Sequence, residues 1–265
     1  NSGRLGGDRF IPSECDVSIR PGWFYHASQD AHVKSVSRLN RLWFESVGRN
    51  AIMLLNFPPN RRGLICNTDA ENARLSHEHI TRMLSKNYLD DSVITADSAL
   101  NDALIAQNLV NPAEDKFYAA ANKTTVIDIV LDEPQVFNVF TVSEVLEAGE
   151  RVSAFMLEAV NGEKTTLLAK GTSIGHLRAL RFPEGEYHHL RLTILEAAVP
   201  PVLRAVAAYR FEDADDENAI AERTNVMSSE LSNIEFSTDR RTATLSFGGI
   251  YPFNYISFSG RGKGC

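Results

Sequence analysis

Cysteine is scarce in this sequence: 265 residues contain three, at positions 15, 66 and 265. They are far apart and odd in number, which excludes a disulfide framework and argues against a zinc site. Cys15 and Cys66 are expected to be free thiols. Net positive charge is also missing. The formal charge of −7 gives no electrostatic reason to expect nucleic acid or an anionic membrane as partner. No apolar run is long enough to insert in a bilayer, and the densest, residues 51–57, has the length of a buried strand. There is no internal repeat and no low-complexity tract. The sequence opens on Asn1 instead of Met, without the basic–apolar–small pattern of a signal peptide. The expectation is that a leader has been removed or that the sequence starts inside a longer protein.

What is present is the composition of a soluble globular protein, with 43 % hydrophobic and 23 % charged residues. The length suits one large domain or two ordinary ones. Three textures follow one another. In residues 1–88, helical patterns flank an apolar strand. Asp30 is placed to cap a helix carrying Val33, Val36, Leu39 or Asn40, Trp43 and Val47 on one side, and Gly48 ends it. The strand at 52–55 stops at Pro58-Pro59, and a second helix is predicted over 69–85. Helix, buried strand, loop, helix is the order of an α/β fold with a parallel sheet.

Residues 89–210 change to period two. Ile127, Ile129 and Leu131 fall on one side of a strand, and Leu190, Leu192 and Ile194 alternate with Arg191 and Thr193. Asp132-Glu-Pro134, Asn161-Gly162 and Pro183-Glu-Gly185 read as the turns between strands, Asn161-Gly162 as a tight hairpin. Short strands at this spacing predict an antiparallel sandwich. Residues 211–265 open on an acidic stretch, Phe211-Glu-Asp-Ala-Asp-Asp-Glu-Asn218, that reads as a linker. Ala243, Leu245 and Phe247 suggest one more strand. Gly260-Arg-Gly-Lys-Gly-Cys265 reads as an unstructured stop, by truncation or out-of-frame translation.

The segment Ile11-Pro-Ser-Glu-Cys-Asp-Val-Ser-Ile-Arg-Pro-Gly-Trp-Phe-Tyr-His26 closely resembles a signature stretch of bacterial family 29 α-L-fucosidases. Ser46-Val-Gly-Arg-Asn50, Met53-Leu-Leu-Asn-Phe-Pro-Pro-Asn60 and Gly63-Leu-Ile65 continue the likeness, with Gln29-Asp30 and Val33-Lys34-Ser35 between them. Phe137-Asn-Val-Phe140, Glu144, Gly149-Glu-Arg-Val152, Gly171-Thr-Ser-Ile-Gly175 and Arg181-Phe-Pro183 resemble the C-terminal sandwich of the same enzymes. The likeness covers roughly residues 9–210 and does not reach 211–265. It implies the last strands and helices of a (β/α)8-like barrel (1–88), followed by an antiparallel, galactose-binding-like β-sandwich (89–210). It also implies hydrolysis of terminal α-L-fucosyl linkages with retention, a fucosylated oligosaccharide or glycoconjugate as partner, and a periplasmic or secreted setting. The family's nucleophile is an Asp in a Trp-Phe-Asp-Gly type motif on an earlier barrel strand. That motif does not occur in this sequence.

Retaining hydrolysis uses two carboxyl groups about 5 Å apart, one of them protonated at working pH. By its place in the signature, Glu14 is the candidate acid/base; otherwise it is a solvated loop carboxylate. Asp16 is the weaker alternative. Trp23 can pack on a sugar ring and His26 can hydrogen-bond a hydroxyl. Asn56, at the end of the apolar strand, is where barrel sites are built, although it can equally tie the turn before Pro58. Arg20 can pair with a structural carboxylate.

Several features carry only bland readings. His77-Glu-His79 lacks the spacing of a zinc helix, and His188-His189 is expected to be exposed. Asn122-Lys-Thr124 fits a glycosylation triplet that occurs often by chance. No metal or organic cofactor is indicated. The competing reading is a non-catalytic carbohydrate-binding or structural sandwich. The first 88 residues are expected to be unstable unless they lean on that sandwich.

Overall fold

In a computed structural model, residues 11–214 are described in full. Of residues 215–265 only the backbones of two strands are described, Leu231–Phe236 and Ala243–Phe247. The chain divides into two compact units, Asn1–Ala214 and Asp215–Cys265. The first is mostly β. Strands β1 (Ser13–Ser18) and β2 (Ala51–Asn56) form a parallel pair, joined by helix α1 (Val36–Glu45) and followed by helix α2 (Asn67–Met83). Seven further strands make one antiparallel sheet: β3 (Val93–Ala96), β4 (Tyr118–Ala119), β5 (Thr125–Glu144), β6 (Val152–Asn161), β7 (Lys164–Gly171), β8 (Arg178–Ala197) and β9 (Val202–Tyr209). Its order is β4-β9-β5-β8-β6-β7, with β3 also on β5. In the second unit, β10 (Leu231–Phe236) pairs antiparallel with β11 (Ala243–Phe247), the strand expected from the alternation there. The terminal stretch 260–265 lies outside the described residues.

The two helices form where the apolar spacing puts them, but α1 starts later than Asp30. Ser35 is its cap and accepts from the Arg38 amide. A short 3-10 turn, Ala27–His32, precedes it. Asp30 is diverted because its carboxylate is taken by Arg20 at 2.8 Å. The buried stripe of α1 is Leu39, Asn40 and Phe44. Asn40 is satisfied there by the Ser76 hydroxyl (2.7 Å) and the His79 ring (2.9 Å) of α2.

The antiparallel sheet is built on two 20-residue strands, β5 and β8. Asp132-Glu-Pro134 and Pro183-Glu-Gly185 are therefore not turns between strands. They lie inside β5 and β8, where the register slips between Val130/Gln135 and Phe137/Val139. A proline withholds one ladder hydrogen bond, so a long strand tolerates it at a bulge. Beyond the slips both faces of β5 are covered: Phe140 and Val142 enter the main core with Ile127, Ile129, Leu190 and Leu192, while Val139 faces a second cluster. Asn161-Gly162 makes the tight β6–β7 turn as expected.

That second cluster attaches the helices to the sheet. Phe44 of α1 and Phe211, just beyond β9, meet edge to face at 4.8 Å. Partly buried Trp43, Ile80 and Met83 pack around them. The Arg181 guanidinium lies 5.1 Å from the Phe44 ring centre and 5.5 Å from that of Phe211, and it pairs with Asp213. Asn138 fixes Phe211 by exchanging hydrogen bonds with its backbone at 2.8 and 2.9 Å. The acidic stretch read as a linker thus begins with a core residue, 1 % exposed.

A second weld lies at the start of β2. The Ala179 amide donates to Gly48 O at 2.8 Å, and the His176 amide donates to the Asn50 side chain at 2.6 Å. A Cβ on Gly48 would sit 2.8 Å from Phe44 O, and one on Gly175 would collide with the Asn50 amide. Behind this weld the buried Glu144 carboxylate accepts from the amides of Arg151, Val152 and Gly175. Burial pushes that carboxyl above its ordinary value, against the pull of the three amides.

On the sheet surface Asp128 of β5 takes Arg191 at 2.9 Å and His189 at 2.7 Å. His189 is thus half-buried and partnered, whereas His188 is exposed as expected. Burial alone would raise the Asp128 carboxyl, but its hydrogen bonds to Arg191 and His189 outweigh that and hold it below the ordinary carboxylate range.

Two outcomes follow from this packing. Phe211→Ala should cost about 3–5 kcal/mol of stability, seen as a fall in melting temperature of about 2–4 °C per kcal/mol; a loss below about 1 kcal/mol, the size of an ordinary substitution, would mean that the ring carries no seam. Because the folded Asp128 carboxyl is depressed, its network contributes fully above the ordinary Asp value of about 3.9 and is lost as pH falls through the depressed one. Asp128→Asn should therefore melt below wild type at pH 7, and the difference should shrink as pH falls below the ordinary Asp value of about 3.9. A constant difference from pH 7 to pH 3 would contradict this.

Candidate functional site

Parallel pairing sets the faces of β1 and β2. Glu14 lies opposite Ile52, Asp16 opposite Leu54, and Ser18 opposite Asn56. With side chains alternating along a strand, these six share one face, while Cys15, Val17, Met53 and Leu55 share the other. The first face is open: Glu14 and Asp16 are exposed, and Ile52 and Leu54 are 50 % and 49 % exposed. The apolar run expected to be a buried strand is thus open on one side. Cys15 and Cys66 are free thiols.

The loops leaving the C-terminal ends of β1 and β2 lie at the same end, where parallel α/β folds build their sites. Asn56 joins them: its Nδ2 donates to Ser18 Oγ at 3.2 Å and to Trp23 O at 3.0 Å. Ser18 Oγ in turn donates to Gly22 O at 2.7 Å. Trp23 is half exposed, Phe24 is 80 % exposed and His26 is exposed.

Beneath this loop sits Arg20, 1 % exposed. Its Nε and Nη2 form a two-point pair with Asp69, at 2.7 and 2.8 Å. Its Nη1 reaches Asp30 at 2.8 Å, and its guanidinium carbon lies 4.8 Å from the Tyr25 ring centre. The hydrogen bond to Asp69 outweighs desolvation and raises the Arg20 guanidinium still further above its ordinary value. Asp69 is fully buried in the first turn of α2, where the helix dipole favours negative charge. Lys34 closes the other side, donating to Ser18 O at 2.6 Å. Burial, with Arg38 nearby, lowers its ammonium from the usual lysine value.

The structure therefore brings together Trp23, His26 and Asn56 at one end of the strand pair. Glu14 shares the face of Asn56 but not its end. It lies four residues before Ser18, on the order of 13 Å along the strand at about 3.3 Å per residue, with Asp16 halfway between. Arg20 was legible as the partner of a structural carboxylate; Asp69 as that partner was not, since 49 positions separate them. Among the described residues no group of three His, Cys, Asp or Glu is arranged to hold a metal ion, and no helix is long and apolar enough to cross a membrane.

No family model matches the chain. Individual relatives do. α-L-Fucosidase 1 of Arabidopsis thaliana is 31 % identical over 211 residues, which cover 77 % of this chain and 41 % of its own. The crystal structure of a provisionally assigned α-L-fucosidase from Bacteroides thetaiotaomicron superposes with a TM-score of 0.74 at 32 % identity, covering 79 % of this chain and 47 % of that one. A glycoside hydrolase 29 family member from an unknown rumen bacterium gives a TM-score of 0.66 at 30 % identity, covering 89 % and 39 %. The chain spans less than half the length of each. In sequence and in fold the chain is similar to part of the family 29 α-L-fucosidases.

Proposed function

We propose that the protein containing this chain is a retaining exo-glycosidase that hydrolyses terminal α-L-fucosyl linkages of oligosaccharides or glycoconjugates. The observation that carries the reading is the 31–32 % identity to α-L-fucosidases across nearly four-fifths of this chain. Residues 1–88 are read as the end of a (β/α)8-like barrel, with the open face of β1 and β2 turned to its interior. Residues 89–210 are read as a galactose-binding-like sandwich whose main task is packing. The Phe44–Phe211 seam supports that task, because it devotes the outer face of β5 and β9 to the helices.

In this reading Trp23 and His26 face the sugar, with Asn56 holding their loop, and Glu14 is the acid/base. Its carboxyl is exposed here, so the burial or like charge that would keep it protonated must come from the rest of the barrel. The nucleophilic Asp comes from there too. Asp16, on the same face and nearer the loop end, is the competing carboxylate. A periplasmic or secreted setting fits such a substrate.

The 265 residues alone should release no nitrophenol from 4-nitrophenyl α-L-fucoside, while the complete protein does. Activity of the isolated chain, or its absence from the complete protein, would each refute one half of the reading. In the complete protein Glu14→Gln should slow fucosides with poor leaving groups by about 10²–10⁴-fold and activated aryl fucosides far less. Equal loss for all leaving groups would remove Glu14 from the acid role, and the selective loss appearing in Asp16→Asn instead would transfer it.

A further inference from the structure

We infer that Arg20 is a positioning residue, clamping the segment from Gly22 to Asp30 so that Trp23 and His26 are held in place for the sugar; the inference rests on the fucosidase reading above. The segment needs such a device. None of residues 21–30 is buried, so no apolar side chain pins it to the core. Its conformation is set by polar ties at its two ends. Near the start, Gly22 O and Trp23 O are held by Ser18 and Asn56. At the far end the tie is Asp30, and its partner is Arg20.

Arg20 is suited to this because its fork is already oriented. Two of its nitrogens are committed to Asp69 on α2, whose side chain is fully buried. The third reaches out of the buried pair to Asp30, whose side chain is 52 % exposed. The Tyr25 ring lies over the guanidinium, and the Tyr25 hydroxyl approaches Asp30 at 3.4 Å. One guanidinium thus connects a fixed helix to this loop at Asp30 and, at 3.5 Å, at His26 O. A lysine offers a point charge without the fork and cannot serve both carboxylates in this geometry.

Asp30→Asn separates positioning from mere support, because it loosens the loop tie and leaves the buried Arg20–Asp69 pair intact. In the complete protein its melting temperature should stay within about 4 °C of wild type. KM for 4-nitrophenyl α-L-fucoside should rise about 3- to 10-fold with kcat within about twofold, as when binding common to ground and transition states is lost. Amide hydrogen exchange should quicken at 22–30 and remain unchanged in α2 and β2. Arg20→Lys, which also breaks the two-point pair with Asp69, should raise KM further and quicken exchange in α2 as well, and Asp30→Glu should restore part of KM. Unchanged KM and exchange in Asp30→Asn would overturn the inference, as would faster exchange throughout the fold. Should the wild-type protein release no nitrophenol, the fucosidase reading fails separately, and exchange decides the clamp: quickening confined to 22–30 keeps it, and no change removes it.

Discussion

Phe211 is the ring against which the parallel strand pair and its helices are held. Two strands and two helices cannot bury enough apolar surface to stand alone. Here they borrow a wall from the antiparallel sheet, and Phe211 completes it from beyond the last strand of that sheet. Its ring takes the edge contacts of Phe44 and His79 and the cation of Arg181. The first part of the chain is therefore finished only when the chain has run through β9. Contacts of such sequence separation make folding slow, and they tie the integrity of the candidate site to a residue far along the chain from Trp23, His26 and Asn56.

Charge in this fold works more by orientation than by adding stability. A buried ion pair gains little over well-packed apolar groups, because desolvation offsets the Coulomb attraction. Arg20 and Asp69 are nonetheless placed out of solvent, with every bond directional. Glu144 shows the same pattern with neutral partners: one carboxylate gathers three backbone amides from two loops. In both cases the geometry of a loop is what is secured.

Much of the architecture was legible in the sequence, and the gaps have physical causes. Period-two runs located Ile127–Leu131 and Leu190–Ile194, because alternate burial on a sheet is a strong local signal. The same reasoning misread Asp132-Glu-Pro134 and Pro183-Glu-Gly185, since turn residues also serve bulges, and only the partner strand decides which. Asp30 had the chemistry of a helix cap but was claimed by Arg20, a tertiary competitor that local pattern cannot reveal. β1 was not predicted as a strand: Ser13-Glu-Cys-Asp-Val-Ser18 alternates, but with polar residues on the face that stays open here. At the site, the aromatic and amide residues were recognisable by type, while the depth of Glu14 along its strand required the register with β2.

The weld at Gly48, Asn50, Gly175 and Ala179 has a mechanical meaning. It grips the base of β2, and Asn56 sits at the other end of the same strand. Six residues at about 3.3 Å each make a lever of roughly 20 Å. A tilt of ~5° at the base would swing the far tip by nearly 2 Å, when displacements of about 1 Å are enough to disturb a catalytic arrangement. The antiparallel sheet thereby acts as the bedplate on which the working end is aimed.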